Sequence, residues 1–186
     1  MPDFNIPERL EGRDIYLVPF IRNSISERYL GWLNDPEVNK FSRRRFVKSG
    51  REDAERFLDG LAETEAVLAI HMKGDKQHMG NIQLGPVDFY ESRAEIRILV
   101  GERGRWGTGI GTQAIYLVTK YLVQELGLHR VEANSCNPAF IRCVEKLGWK
   151  DEGCLRERFP VEGERLDFHW LGLLKSEFQV LPEYEY

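Results

Sequence analysis

The segment that most constrains this chain places three glycines at alternate positions directly before an amphipathic segment. Residues Trp106 to Ala114 read WGTGIGTQA, and apolar residues then recur at helical spacing as far as about Leu126. Glycine lets the backbone turn tightly and lets a ligand approach without a Cβ in the way. The first N–H groups of a helix and the helix dipole both favour phosphate oxygens. We therefore predict a phosphate-binding loop that opens a helix.

Other interpretations of this loop fit its spacing less well. A nucleotide-triphosphate loop requires a lysine after its last glycine, whereas Thr112 and Gln113 stand there instead. A dinucleotide-binding loop requires G-x-G-x-x-G, and the third glycine here, Gly111, comes one residue too early. A NAD-dependent oxidoreductase is therefore disfavoured, and a plain strand-to-helix turn stays open as the alternative without a ligand.

Composition indicates a single globular domain, to which we assign residues 1–186. Of the 186 residues, 42% are hydrophobic and 30% are charged, with a formal net charge of −4. This charge provides no basic field for nucleic acid, and no apolar segment reaches the roughly 18 residues of a membrane helix. The N-terminus is too polar for a signal peptide, and three cysteines without paired spacing predict neither disulfides nor a metal site. We expect a cytoplasmic monomer or homodimer that binds neither DNA nor membranes.

Apolar residues alternate between strand and helix periods along the chain. They predict the order β-α-α-β-β-β-α-β-α-β-β, and hence a mixed sheet with helices on both faces. Ser24 is the expected N-cap of the first helix, which Asn34, Asp35 and Pro36 should end. The predicted segments are strand 13–20, helices 24–34 and 52–61, strands 65–72, 78–84 and 93–100, helix 110–126, strand 130–133, helix 138–147, and two strands between 149 and 174.

The stretch from Ala94 to Ala114 resembles motif A of the GNAT superfamily of N-acetyltransferases, written Q/R-x-x-G-x-G/A. Gly109 and Gly111 match the last two positions of this motif, and Trp106 occupies the Q/R position. A subfamily with the loop W-G-x-G-I/Y-A/G-T-E-A shares this departure, and Gln113 replaces the Glu of that loop. The Q/R position contributes mainly its backbone N–H, so a tryptophan there is compatible with the site.

Three further blocks extend the resemblance in the same order over nearly the whole chain. NPAFIRCVEKLGW, from Asn137 to Trp149, is similar to N-x-x-S-x-x-V-x-E-K-x-G-F, and EGCLR at residues 152–156 is similar to the C-terminal E-G-x-x-R. WLNDPEV, at residues 32–38, resembles the RimJ/RimL-like branch and its nucleotide-sugar N-acetyltransferase relatives. The fold implied is α/β (α+β), a mixed central sheet splayed at the cofactor strand with helices on both faces.

This resemblance implies an acetyl-CoA-dependent N-acetyltransferase that needs no metal. The strand before the loop would pair its backbone with the pantetheine arm, as an added strand pairs with a sheet edge. The loop would hold the pyrophosphate, and an asparagine side chain would add a contact. The cofactor-binding residues implied are Ile98, Leu99, Val100, Arg105, Trp106, Gly107, Thr108, Gly109, Ile110, Gly111, Thr112 and Asn137.

Catalysis needs a deprotonated amine and a proton for the departing thiolate. Phe140 and Val144 occupy the positions where some relatives carry a hydroxyl, so the resemblance does not identify the proton donor. Glu95 corresponds to an acidic position that some members use as a base, and it is the predicted catalytic residue. Arg97 lies two residues further along the same strand face, so a structural ion pair is the alternative role for Glu95.

The N-terminal helices form the acceptor wall in this family, and we predict Trp32, Asn34 and Arg43 as substrate-binding residues. An arginine fork suits phosphate, and Trp32 is placed either to stack on a base or sugar or to fill the core. These features favour a nucleotide-linked amino sugar or a protein N-terminus as acceptor, with polyamines and small amines as alternatives. Because two hydroxyls are missing, a non-catalytic acyl-CoA-binding sensor or scaffold module also stays open.

Overall fold

A mixed sheet of eight strands, in the order β1-β2-β3-β4-β5-β6-β8-β7, organises the computed structural model, which describes residues 4–186. All neighbouring strands are antiparallel except β5 and β6, which are parallel. The strands are Leu10–Glu11 (β1), Ile15–Pro19 (β2), Ala66–Met72 (β3), His78–Asp88 (β4), Arg93–Val100 (β5), Arg130–Ser135 (β6), Lys150–Val161 (β7) and Glu164–Leu174 (β8).

Four α-helices connect the strands. They are Glu27–Asn34 (α1), Arg51–Asp59 (α2), Ile110–Lys120 (α3) and Pro138–Lys146 (α4). The helix expected to reach about Leu126 continues past α3 as a π-helical turn, Tyr121–Glu125. Within residues 4–186, no helix is long and apolar enough to cross a membrane.

The predicted mixed sheet is confirmed, and the differences from the predicted elements are local. The short strand β1 was not predicted, because two residues give no periodicity. The N-cap prediction was wrong by two residues: Ser26, not Ser24, accepts the N–H of Tyr29 at the start of α1. Ser24 instead ends a 3₁₀ turn and accepts the N–H of Ile21. Both serines satisfy free N–H groups, so only the backbone path distinguishes them.

Helices cover both faces of the sheet, although not to the same extent. The larger apolar cluster joins one face to α3 and α4, and includes Ile82, Ile96 and Val131. A smaller cluster joins the opposite face to α1 and α2, and the last strand that contributes to it is β5, through Leu99. The part of this opposite face formed by β6, β8 and β7 therefore lies beyond the cover of α1 and α2.

The parallel pair β5–β6 ends after three residue pairs, of which the last joins Glu95 and Glu132. Beyond this pair β5 continues to Val100 beside β4, while β6 continues beside β8. The two strands therefore separate, and the sheet is splayed at β5 as the family resemblance implied.

Candidate active site

The gap between β5 and β6 exposes backbone groups that the sheet leaves unpaired. The N–H of Gly101 bonds to Met79 on β4, so the alternation of strand backbone directs the polar groups of Val100 and Ile98 toward the gap. Leu99 differs, because its carbonyl points at β4, where a Cβ on Gly80 would overlap it. Of the three strand residues implied by the resemblance, the backbone groups of Ile98 and the N–H of Val100 are left unpaired by the sheet, whereas Leu99 is directed at β4.

The glycine loop leads from the end of β5 into α3 through two left-handed residues. Gly107 has φ +77° and Gly109 has φ +89°, values that residues with a Cβ adopt only with strain. A Cβ on either glycine would meet no protein atom within 4 Å, so the space in front of the loop is open. Gly109 is the N-cap of α3, and no side chain among residues 4–186 caps this helix. The first N–H groups of α3 are therefore available to an anion.

Two side chains hold the loop in shape. The indole N–H of Trp106 donates to the carbonyl of Val100 at 2.8 Å, which ties the loop to the gap edge of β5. The hydroxyl of Thr108 donates to the carbonyl of Arg105 at 2.7 Å and closes the turn within the loop. Trp106 thus supplies more than a backbone N–H, because its side chain bonds one of the carbonyls implied for pantetheine.

The first turn of α3 contributes backbone rather than side chains to this space. Ile110 and Thr112 are 5% and 4% exposed, so their side chains belong to the interior. Gln113, which replaces a glutamate of the subfamily loop, is also buried, and its carbonyl oxygen accepts the N–H groups of Asp14 and Ile15, both at 3.0 Å. The amide therefore fixes the start of α3 to β2.

Asn137 lies where β6 turns into α4 and is the N-cap of this helix. Its side-chain oxygen accepts the N–H of Ala139 at 2.9 Å, and its own N–H bonds the hydroxyl of Ser135. Capping uses the oxygen and leaves the amide N–H₂ for the cofactor contact predicted from the resemblance. Phe140 and Val144 of α4 pack in the larger apolar cluster, so neither position holds a proton donor.

Glu95 lies at the point where β5 and β6 separate, and its carboxylate has two partners. One oxygen accepts from the guanidinium of Arg97 at 2.8 Å, and the other accepts from the amide of Asn134 at 3.2 Å. The side chain is 18% exposed. The ion pair given as the alternative role for Glu95 is therefore present, and the catalytic role stays a prediction.

Two side chains beside Glu95 were not identified from the sequence. Asn134 joins β6 to Glu95 across the mouth of the gap, and Trp170 of β8 is its register partner. Strand alternation places all three on the sheet face that α1 and α2 leave uncovered. The sequence carried one signal for Asn134: like Glu95 on the neighbouring strand, it follows a buried apolar residue, which indicates the same outward-facing position.

Trp32, for which stacking on a substrate and a place in the core were both open, is buried. It is 7% exposed, its ring packs on Gly101 so closely that a Cβ there would overlap the indole, and its edge lies against His78, 4.9 Å between ring centres. The indole therefore fixes α1 against the end of β5. With no exposed face, it offers no stacking surface to a base or sugar.

The other two predicted acceptor residues lie at the outer end of α1. Asn34 donates to the carbonyls of Leu30 and Ser49 and accepts the N–H of Ser49, so its amide holds the following loop rather than pointing outward. Arg43 opens a 3₁₀ turn, is exposed, and pairs with no carboxylate within residues 4–186. Arg45 does not act with it as a fork, because its guanidinium bonds the carbonyls of Lys40 and Pro160.

A cleft of about 330 Å³ lies between the end of α1 and this arginine segment. Its lining includes Asn34 and Arg44 but no residue of β5 or of the glycine loop. The cleft therefore lies in the segment expected to form the acceptor wall and is separate from the gap.

Comparison with known proteins agrees with this geometry. The family model described as an acetyltransferase (GNAT) domain matches residues 14–150. An uncharacterized N-acetyltransferase p20 of Bacillus licheniformis is 28% identical over 151 residues, covering 78% of this chain and 84% of the relative. The human alpha/beta-tubulin-N-acetyltransferase 9 is 26% identical over 151 residues, covering 74% and 73% respectively.

Solved structures share the fold. A GNAT-family acetyltransferase from Bacillus anthracis superposes with a TM-score of 0.74 at 21% identity, covering 91% of this chain and 99% of that one. Spermidine N-acetyltransferase from Vibrio cholerae, solved with CoA and spermine, also gives 0.74 at 19% identity, covering 88% and 97%.

Proposed function

The chain belongs to the GNAT acetyltransferase family and is an acetyl-CoA-dependent N-acetyltransferase, and from this premise we propose that it acetylates the primary amine of a nucleotide-linked amino sugar or of a protein N-terminus. This proposal places the protein with the RimJ/RimL-like branch and in the cytoplasm. It also assigns the acetyl-CoA contacts to the gap and loop residues described above.

The observation that supports this assignment is the continuity between the gap and the loop. Ile98 and Val100 present backbone groups along the gap, and the N-terminus of α3 follows directly beyond Gly109. An extended amide chain bonds to a strand edge, and a pyrophosphate bonds to free N–H groups at a helix start. Acetyl-CoA carries these two groups in the same order, so the residues present fit it.

The chemistry assigned to the chain is direct transfer. The amine nitrogen attacks the thioester carbonyl and forms the new carbon–nitrogen bond, the carbon–sulfur bond breaks and releases CoA as its thiolate, and the nitrogen loses a proton. Glu95 lies where the gap opens to the uncovered sheet face, and Asn134 and Arg97 hold its carboxylate there. We assign Glu95 to accept the amine proton, directly or through a water molecule.

The acceptor classes are supported by the charge of the acceptor wall. Arg43 is exposed without a carboxylate partner within residues 4–186, and Lys48 lies on the same segment. Unpaired cations favour an acceptor that carries phosphate or carboxylate near its amine, and they repel a polycation. The name of the human relative, a tubulin N-acetyltransferase, supports a protein acceptor, whereas the likeness to spermidine N-acetyltransferase concerns the fold alone.

Free-thiol release from acetyl-CoA tests the acceptor. The panel contains an aminodeoxy nucleotide-sugar, a peptide with a free N-terminus and an acidic second residue, the same peptide with a lysine there, and spermidine. We expect release with the nucleotide-sugar or the acidic peptide, and weaker release with the lysine peptide. The variant Arg43→Ala should raise the acceptor KM and leave the acetyl-CoA KM unchanged.

The panel separates the parts of the proposal. Release with spermidine alone would contradict the assigned acceptor classes and favour a polyamine acetyltransferase. Tight CoA binding without release on any member would contradict all of the named acceptors.

A further inference from the structure

Trp170 is a large aromatic side chain in the interior of the sheet that the packing leaves uncovered. It lies on β8, between β6 and β7, yet it is 40% exposed and belongs to none of the three apolar clusters. Within residues 4–186 its indole makes no aromatic stack, cation–π contact or hydrogen bond. Isolated apolar side chains are common on surfaces, so what distinguishes Trp170 is its position in mid-sheet near the candidate active site.

The register places this indole next to the residues that close the gap. Trp170 is directly opposite Asn134, whose amide donates to Glu95 at 3.2 Å. Opposite residues on antiparallel strands have Cβ atoms about 4.5–5.5 Å apart, and adjacent strands are about 4.8 Å apart. Glu95 pairs with Glu132, which pairs with Gly172, so Trp170 lies two residues further along β8. Two strand spacings and two residues of strand rise place the Glu95 backbone about 12 Å from the Trp170 backbone.

The strand on the other side leaves the indole face open. Trp170 is paired with Gly153 of β7, which has no side chain, and a Cβ there would meet nothing within 4 Å. On the same face, Gly172 lies beneath the ion pair of Arg130 with Glu152, at 2.7 Å. The indole is thus bordered by polar groups within the sheet, and its face is accessible from the solvent side.

The charges around the indole are paired with each other. Arg130 bonds both Glu132 and Glu152, and Arg93 bonds Glu132 at 2.9 Å. These mutual pairs engage the carboxylates of Glu132 and Glu152, so neither is free to bind a second ammonium group. The surface therefore suits an uncharged flat group, such as an aromatic ring.

We propose that Trp170 is the acceptor-stacking residue of this enzyme, and that it binds a flat uncharged ring carried within about 12 Å of the amine. The inference rests on the proposed function, since it uses the amine position at Glu95. It assigns to β8 the stacking that the sequence suggested for Trp32, and it favours a ring-bearing acceptor over a linear polyamine.

Two amines that differ by a single phenyl ring test the stacking. Phenethylamine and ethylamine are compared as acceptors in wild type and in Trp170→Leu, which keeps apolar volume and removes the aromatic face. Leu155→Ala is the matched control, because Leu155 is 42% exposed on the same face of neighbouring β7. We expect Trp170→Leu to lower the phenethylamine-to-ethylamine ratio of kcat/KM by about 2- to 10-fold, with the acetyl-CoA KM unchanged.

A binding measurement covers the case in which neither amine is acetylated. The indole N–H resonances are recorded in the CoA complex, the Trp170 signal is assigned with Trp170→Phe, and each amine is titrated. Phenethylamine should shift the Trp170 signal and ethylamine should not. The inference is overturned if the two amines shift it equally or not at all, or if Leu155→Ala lowers the kcat/KM ratio as much as Trp170→Leu. If the wild-type protein does not bind CoA, the result would instead contradict the proposed function.

Discussion

Gly109 permits a test in which the conformational cost of a substitution is separated from its effect on the ligand. The residue has φ +89°, and a Cβ on it would meet no protein atom within 4 Å. A residue with a Cβ in this region costs about 1–2 kcal/mol. Gly109→Ala should therefore lower the melting temperature by about 2–8 °C, without any steric clash inside the protein. The added methyl group, however, enters the space in front of α3.

Gly163 provides a control with the same backbone conformation. It also has φ +89° and open space where a Cβ would lie, but it belongs to the turn between β7 and β8. Gly163→Ala should lose the same stability as Gly109→Ala and bind CoA as wild type does. Both variants carry the same conformational cost, so a difference in CoA affinity between them measures the effect of the added methyl group on the bound ligand.

The difference can be measured by calorimetric titration and by thermal shift. At a CoA concentration 100 times the wild-type Kd, binding stabilises the fold by about 2.7 kcal/mol. If Gly109→Ala weakens binding tenfold, the stabilisation at that concentration falls to about 1.4 kcal/mol. The bulkier Gly109→Val should abolish binding. Unchanged CoA affinity in Gly109→Ala, or an equal loss in Gly163→Ala, would refute the role of this loop in binding the pyrophosphate.

Three further substitutions test single contacts of the site and its surroundings. Glu95→Gln should lower kcat at neutral pH by about 100-fold and leave the acetyl-CoA KM unchanged. Arg97→Gln breaks the same ion pair but should keep most of the activity. An equal loss of kcat in the two variants would assign Glu95 a structural role. Trp106→Phe removes the bond to Val100 and should weaken CoA binding by about 2- to 10-fold, measured by titration, and wild-type affinity would show that the bond does not order the loop. Burial lowers the pKa of His78, so the folded state binds its proton less readily than the unfolded state does. The contribution of His78 to the free energy of unfolding should therefore be fully present above the unfolded pKa near 6.5, and should fall below it by at most about 1.4 kcal/mol per pH unit. In urea titrations at pH 7.5 and 5.5, His78→Gln should lose less stability between the two pH values than wild type does. An equal loss in the two proteins would contradict the role of His78 in this pH dependence.

The elements and the glycine loop could be predicted because their signals are local. Alternating apolar residues predicted β5 at residues 93–100, and the structure has Arg93–Val100. Likewise, the alternate glycines predicted a tight turn before α3, and Gly107 and Gly109 in this turn have left-handed backbone, because φ depends on the residue itself and its neighbours. The separation of β5 from β6 came from the family resemblance, since no periodicity reports where two strands part.

What the sequence determined by itself was the kind and approximate position of the longer elements and the glycine turn before α3. Tertiary structure decided which face of each element is covered. Trp32 and Trp170 are equally aromatic in the sequence, yet one is buried against Gly101 and the other is 40% exposed, because α1 and α2 extend only as far as β5. Exposure of a side chain depends on what packs against it from distant parts of the chain, and that information is not contained in local spacing.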